Sequence, residues 1–280
     1  MMRTLTALLV LAAAHVGAAR LTDDDFARHV EKLRTRAPDG FTIVIRRPFV
    51  VIGDESPERV RRHAQGVVGW SVERLKREYF TNDPDEILEV WLFKDDASYR
   101  KHAKSLFGHE PTTPYGYYSP ADKALVMNIA TGGGTLVHEI VHPFVRANFP
   151  TCPAWFNEGL GSLYEQCEDK GGRIRGLVNW RLAGLKRAIK DREVPPFKEL
   201  MSTDDESFYT KDRGTNYAQA RYLCYYLQEK DLLKRYYDEF SRGAKDDPSG
   251  YETLKRVLGE DDMKTFQATW EAFVTKLDAP

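Results

Sequence analysis

The run His138-Glu139-Ile140-Val141-His142 puts two imidazoles four residues apart with a carboxylate between them. On a helix, residues i and i+4 stand one above the other, so both rings can reach one divalent metal ion. Glu139 lies about 100° around the axis from His138 and about 60° from His142. That offset keeps it out of the ligand pair but within reach of a water on the metal, where a general base belongs. The chemistry this set supports is metal-assisted hydrolysis. Five residues make a short pattern, and its weight comes from what surrounds it.

Two imidazoles are half a site, because zinc enzymes usually bind through three protein ligands and leave one position for water. The nearest third candidate is Glu158, sixteen positions after His142 in Pro153-Ala154-Trp155-Phe156-Asn157-Glu158-Gly159-Leu160. The gap lets one helix end, the chain turn at Phe149-Pro150, and a second helix run back beside the first. Gly161 and Ser162, one turn beyond Glu158, are small enough to let the two helices approach closely. Glu165, two turns beyond Glu158, is placed to hydrogen-bond a ligand imidazole from behind, or else to face solvent. Pro143 directly follows His142 and has no amide proton for the Glu139 carbonyl, which predicts a kink at this turn and a re-aimed His142.

The elements that must carry these residues are legible. Thr22 or Asp23 caps a helix to about Arg36. Phe41–Ile45 and Phe49–Ile52 read as strands, and Ser56-Pro57 opens a helix to about Phe80. Ile87–Phe93 is a strand and Asp96–Leu106 a helix. Gly116-Tyr117-Tyr118-Ser119-Pro120 is a loop or short strand, and Ala124–Ile129 is a strand. Gly132-Gly133-Gly134 lacks the residues of a phosphate-binding loop and reads as a strand-to-helix turn. From Thr135 the pattern is helical: to about Asn148, then Trp155 to about Glu168, closed by Gly171-Gly172. Further helices follow over 179–190, 215–229, 232–240, 251–258 and 262–277. The fold class is α+β, an N-terminal mixed sheet with helices followed by a mostly helical half, with the metal site between them. The divisions are 1–19 as a signal peptide, 20–130 as the α/β part and 131–280 as the helical metal-binding part.

Arg3, the apolar stretch Leu5–Ala14 and the small residues Val16-Gly17-Ala18-Ala19 compose a secretory signal cut near Ala18 or Ala19. The expected setting is therefore secreted or periplasmic, with no stable membrane insertion of the mature chain. In 280 residues, 41 Lys and Arg stand against 42 Asp and Glu, which gives no footprint for nucleic acid or an anionic membrane. There are three cysteines. In an oxidising compartment Cys152 and Cys167 can close a loop, leaving Cys224 over in a buried helix.

With H-E-x-x-H followed by Trp155-Phe156-Asn157-Glu158-Gly159, the chain resembles the gluzincin branch of zinc metallopeptidases, and most closely the peptidase-MA-like domains of exported bacterial proteins. The resemblance covers residues 85–240, and its motifs are specific for the superfamily rather than for a substrate. It implies a zincin-like helical half, Zn²⁺ held by His138, His142 and Glu158, Glu139 as catalytic base, and a peptide or protein substrate. It also implies an oxyanion donor. Tyr217, at the start of the helix after Gly214, has a placement similar to the Tyr-bearing helix of the superfamily, with Tyr209 as its rival. An edge strand that pairs with extended peptide is implied at Gly116–Tyr118 or Ala124–Ile129. A contrasting expectation is an exported zinc-binding module of the same fold with little or no peptidase activity.

Overall fold

In the computed structural model, residues 21–211 and 214–278 are described; the expected signal peptide, residues 1–19, lies outside them. Thr22 opens helix α1 (Asp23–Arg36) with a capping box, its hydroxyl accepting from the Asp25 amide and the Asp25 carboxylate from the Thr22 amide. Strands β1 (Thr42–Arg46) and β2 (Phe49–Gly53) form a hairpin across Arg47-Pro48, with Arg46 opposite Phe49.

Helix α2 (Pro57–His63), capped by Ser56, passes through a π-helical segment (Ala64–Gly69) into α3 (Trp70–Glu78). The single helix read from the sequence thus carries a wide turn in its middle. Strand β3 (Leu88–Phe93), helix α4 (Asp96–Phe107), and strands β4 (Gly116–Ser119) and β5 (Ala124–Asn128) follow.

The five-stranded sheet has the order β1-β2-β3-β5-β4. Its inner strands β2, β3 and β5 run parallel, and the two outer strands are antiparallel to their neighbours. The inner strands are buried along their whole length, as strands covered on both faces must be. Val50, Ile52, Trp91, Phe93 and Val126 face α1 and α4. Val51, Val90, Leu92, Leu125 and Met127 join the main core with the helices of the second half. Glu89 interrupts the first of these faces. Its buried carboxylate accepts from Trp91 Nε1 at 2.7 Å, pairs with His29 at 3.1 Å, and bonds Arg36, so that α1 is tied to the sheet.

The second half begins with α5 (Gly134–Asn148) and α6 (Ala154–Leu163). The sequence pattern carries α6 on to Glu168, but the helix ends at Leu163. Cys167–Lys170 (β6) instead pairs antiparallel with Arg173–Gly176 (β7). Gly171 and Gly172 between them hold φ of +63° and +80°, the geometry of a tight hairpin turn, which is why the two glycines close a hairpin rather than a helix.

The other elements are helical: α7 (Arg181–Asp191), the short α8 (Phe197–Met201) and α9 (Asp205–Thr210), α10 (Thr215–Glu229), α11 (Leu233–Gly243), α12 (Tyr251–Leu258) and α13 (Met263–Lys276). None of the described helices is long and apolar enough to cross a membrane.

No disulfide joins Cys152, Cys167 and Cys224. Cys152 precedes α6 and Cys167 follows it. A helix of ten residues is about 15 Å long, well beyond the span of a disulfide.

Helix α6 lies between α5 and α10. A β-carbon on Gly159 would stand 3.0 Å from the Ala220 carbonyl oxygen of α10, a backbone atom that cannot rotate away. Gly159→Ala should therefore destabilise the fold by about 1–3 kcal/mol. The expected readout is a lower urea midpoint with an unchanged denaturant slope; an unshifted midpoint would mean that the helices separate at no cost.

Candidate metal centre

Helix α5 is held to the core by Leu136, Ile140, Val141 and Phe144, all fully buried. The opposite stripe turns His138 and His142 toward α6, their ring centroids 4.8 Å apart. The helix runs on through Pro143 to Asn148. The missing amide of Pro143 has thus not separated the imidazole pair.

Across from them, α6 brings up Glu158. Its Oε2 is 3.1 Å from His138 Nε2 and its Oε1 is 3.9 Å from His142 Nε2. Oε1 also accepts from the Tyr209 hydroxyl at 2.8 Å. The ligand atoms of His138, Glu139 and His142 lie within 4.8 Å of one another. The structure therefore gathers His138, Glu139, His142 and Glu158 at one place.

Behind each imidazole stands an oxygen. Asn157 Oδ1 is 3.0 Å from His142 Nδ1, and Glu165 Oε1 is 3.3 Å from His138 Nδ1. At His142 this acceptor fixes the proton on Nδ1 and leaves Nε2 as the metal-facing nitrogen, while at His138 the Glu165 carboxylate stands as a charge neighbour. Glu165 is itself clamped by Arg181, through Nη2 at 2.7 Å and Nε at 2.9 Å, and by the Asn179 side-chain amide at 3.1 Å. Glu165 lies beyond the end of α6 and not on it. It reaches His138 because Gly134, at the start of α5, lets the two backbones meet; a β-carbon there would stand 2.2 Å from the Glu165 carbonyl oxygen. That contact gives the glycine run before α5 a steric role.

Electrostatics follow from this enclosure. Burial alone would lower the pKa of His138, but its bond to Glu158 and the neighbouring Glu165 carboxylate outweigh burial and raise it to about 10. Burial would raise Glu158 and Glu165. For Glu158 the contact with His138 outweighs it, and for Glu165 the contacts with His138 and Arg181 do, bringing both down to about 2. Burial and the neighbouring Glu158 push the Tyr209 phenol up. His138 thus lies between two carboxylates, Glu158 at its Nε2 and Glu165 near its Nδ1.

The residues fit a divalent cation. Two imidazole nitrogens and one carboxylate are a common donor set for zinc with an open position. Gly161 supplies the room, since a β-carbon there would come within 3.2 Å of both His138 Nε2 and His142 Cε1. His138 Nε2, which now pairs with Glu158, would be the nitrogen offered to the metal.

The site opens into a cleft of ≈ 840 Å³ between the two halves of the chain. Gly66 and Val67 of the π-helical segment, Trp70 at the start of α3, Tyr115 and Gly116 at the start of β4, and Trp180 and Arg181 at the start of α7 form its walls; Glu139 and Tyr217 line it as well. The Tyr217 ring lies 5.2 Å from that of Phe208 and under the Arg181 guanidinium, also at 5.2 Å. Gly214, with φ of +86°, takes the cap position of α10, and Thr215 is its first residue. Both tyrosines singled out in the sequence are thus at the site, Tyr217 along the cleft and Tyr209 on Glu158. Asn157, Asn179 and Arg181 went unread. Asn157 adjoins Glu158 in sequence, whereas Asn179 and Arg181 arrive through the hairpin and carry no local signal.

No protein-family model matches this chain, and no curated protein matches it in sequence.

His138→Ala should destabilise the metal-free chain by about 3–5 kcal/mol, the scale for removing one partner of a buried ion pair. Glu139→Ala, at a half-buried position outside that bridge, should stay within about 0.5 kcal/mol. Urea unfolding in the presence of a chelator would check the contrast, and equal midpoints for the two variants would contradict it.

Proposed function

We propose that this chain is a zinc-dependent peptidase in which His138, His142 and Glu158 hold the metal and Glu139 is the general base. The observation that supports this most is the convergence of the two Nε2 atoms and the Glu158 carboxylate, with Glu139 beside them in an open cleft. Zinc bound there would polarise the scissile carbonyl and lower the pKa of the attacking water. Glu139 accepts a proton from that water as its oxygen attacks the carbonyl carbon. As the C–N bond breaks, Glu139 returns the proton to the departing amine nitrogen. The Tyr217 hydroxyl donates a hydrogen bond to the developing oxyanion. Asn157 and Glu165 hold the two ligand imidazoles in place from their Nδ1 sides. Strand β4, at the open edge of the sheet beside the cleft, offers backbone groups to an extended peptide. A zinc-binding module would have no need of Glu139 at that position.

Glu139→Gln should keep one zinc per chain and lose peptide hydrolysis by about 10²–10⁴-fold, because glutamine keeps the shape but cannot take the proton. His142→Ala should lose stoichiometric zinc. Elemental analysis and a peptide-library assay read both. Undiminished turnover in the Gln variant would reject the mechanism, and a parent protein that holds zinc but cleaves nothing would leave only the binding module.

Glu165→Gln should weaken zinc binding by about 10–100-fold, measured by competition with a coloured chelator. Tyr217→Phe should leave zinc binding intact and lower kcat. If Tyr209→Phe alone lowers kcat, the oxyanion role passes to Tyr209.

A further inference from the structure

Among the described residues, the large hydrophobic side chains left exposed are Ile45, Tyr115, Trp180 and Tyr209. Ile45 lies on β1, at the sheet edge opposite β4. Of the other three, Tyr115 and Trp180 line the metal cleft, and Tyr209 bonds Glu158 of the metal site. Trp180 is the most exposed of them, at 68%. An indole in water forfeits the burial that stabilises Trp91, Trp155 and Trp270, none of which is exposed. Large exposed apolar groups clustered at one cleft mark a binding surface.

Trp180 is also backed by a cation. The Arg181 guanidinium lies 4.4 Å from the centre of its ring. That guanidinium is fixed in turn by its two bonds to Glu165, which also contacts Asn179 and His138. A rigid aromatic face binds a second ring at little entropic cost. The chain Trp180–Arg181–Glu165–His138 also sets the indole only two side chains from a proposed metal ligand. A side chain seated on it belongs to a residue close to the scissile bond.

We propose that Trp180 is the platform on which this cleft seats a large apolar or aromatic side chain of an extended peptide, with Tyr115 contacting the same side chain from the sheet side. The proposal rests on the peptidase reading above and names its substrate class. Arg181 is a poor partner for an acidic side chain, since its charge is already matched by Glu165. A hydrophobic contact with the indole face is what remains on offer.

The test uses acetylated and amidated octapeptides that differ only at one central residue, Phe, Leu, Ala or Glu. Their affinity is measured by fluorescence anisotropy on the full zinc-loaded chain carrying Glu139→Gln, in which turnover is blocked. The Phe peptide should bind about tenfold more tightly than the Ala peptide, the equivalent of ~1.4 kcal/mol. Adding Trp180→Ala should shrink that ratio to about twofold or less, and Trp180→Phe should retain part of it. The bound Phe peptide should also shield a tryptophan from a soluble quencher, and Trp180→Phe should abolish that shielding. Equal affinity for Phe and Ala peptides, or a ratio that survives Trp180→Ala, would overturn the platform.

The two readings fail separately. If the parent chain cleaves all the peptides alike and Glu139→Gln stops it, hydrolysis stands and the platform falls. If binding shows the Trp180-dependent preference and the parent cleaves nothing, the platform stands and hydrolysis falls.

Discussion

The close approach of α5 and α6 at Gly161 is the constraint on which the site depends. The imidazoles of His138 and His142 sit against that bare α-carbon, and only there can a carboxylate from the next helix meet both. A β-carbon at 161 would stand 3.2 Å from both imidazoles, so the rings would have to give by a few tenths of an ångström. Even a shift of that size would disturb the fit of the imidazole nitrogens to the Glu158 oxygens. The charge bridge from Glu158 through His138 to Glu165 exists because the backbones have first been allowed to come together. In a buried setting such a bridge is costly unless every member finds a partner. Here the outer carboxylate is completed by Arg181 and Asn179.

Helix α6 reaches this position by being thin on two sides. Residues two apart on a helix point about 160° away from each other. Gly159 and Gly161 therefore open opposite faces, one to α10 and one to α5. Asn157 and Glu158 lie within about 60° of Gly161 around the axis, so one narrow stripe holds a ligand, the partner of a ligand and the gap between them. The C-terminal end of α6 is then fixed by a fully buried cation. Arg221 donates from Nε to the Ser162 carbonyl at 2.9 Å and from Nη2 to the carbonyls of Leu163 and Leu177. A guanidinium at a helix C-terminus satisfies carbonyls that lack helical partners and sits favourably in the field of the helix. It also ties the end of α6 to the segment that leads into Asn179 and Arg181. The site's outer layer is thus anchored to the same helix as its inner one.

Much of this was legible in the chain because it is local. The four-residue spacing of His138 and His142 and the small residues one turn after Glu158 describe helix faces, and periodicity reports helix faces. The caps at Thr22 and Ser56 and the apolar runs of β2, β3 and β5 were read from neighbouring residues for the same reason. What stayed hidden depends on contacts between distant segments. Glu165 was read as riding on α6, yet it meets His138 from beyond the helix end because the backbone there closes on Gly134 at the start of α5. Arg181 looks like any basic residue on a helix until the hairpin at Gly171-Gly172 brings it back to Glu165. The π-helical turn at Ala64–Gly69, which forms one wall of the cleft, has no periodic signature apart from the α-helices on either side.

Pro143 shows how local and distant constraints are reconciled. Its ring denies the Glu139 carbonyl the amide that an ordinary residue would offer, a defect placed at the metal-facing turn. The helix persists because it is held from outside. Phe144 and Val145 are buried in the main core, and the Asn148 side chain bonds the Phe144 carbonyl at 2.8 Å while also pairing with Asn82 across the chain. Tertiary contacts on both sides of the proline thus fix the helix axis. His142 can then be aimed by Asn157 rather than by the regularity of its own helix. Substituting Pro143 would restore one backbone hydrogen bond, but the direction of His142 would still be set by its partner on α6.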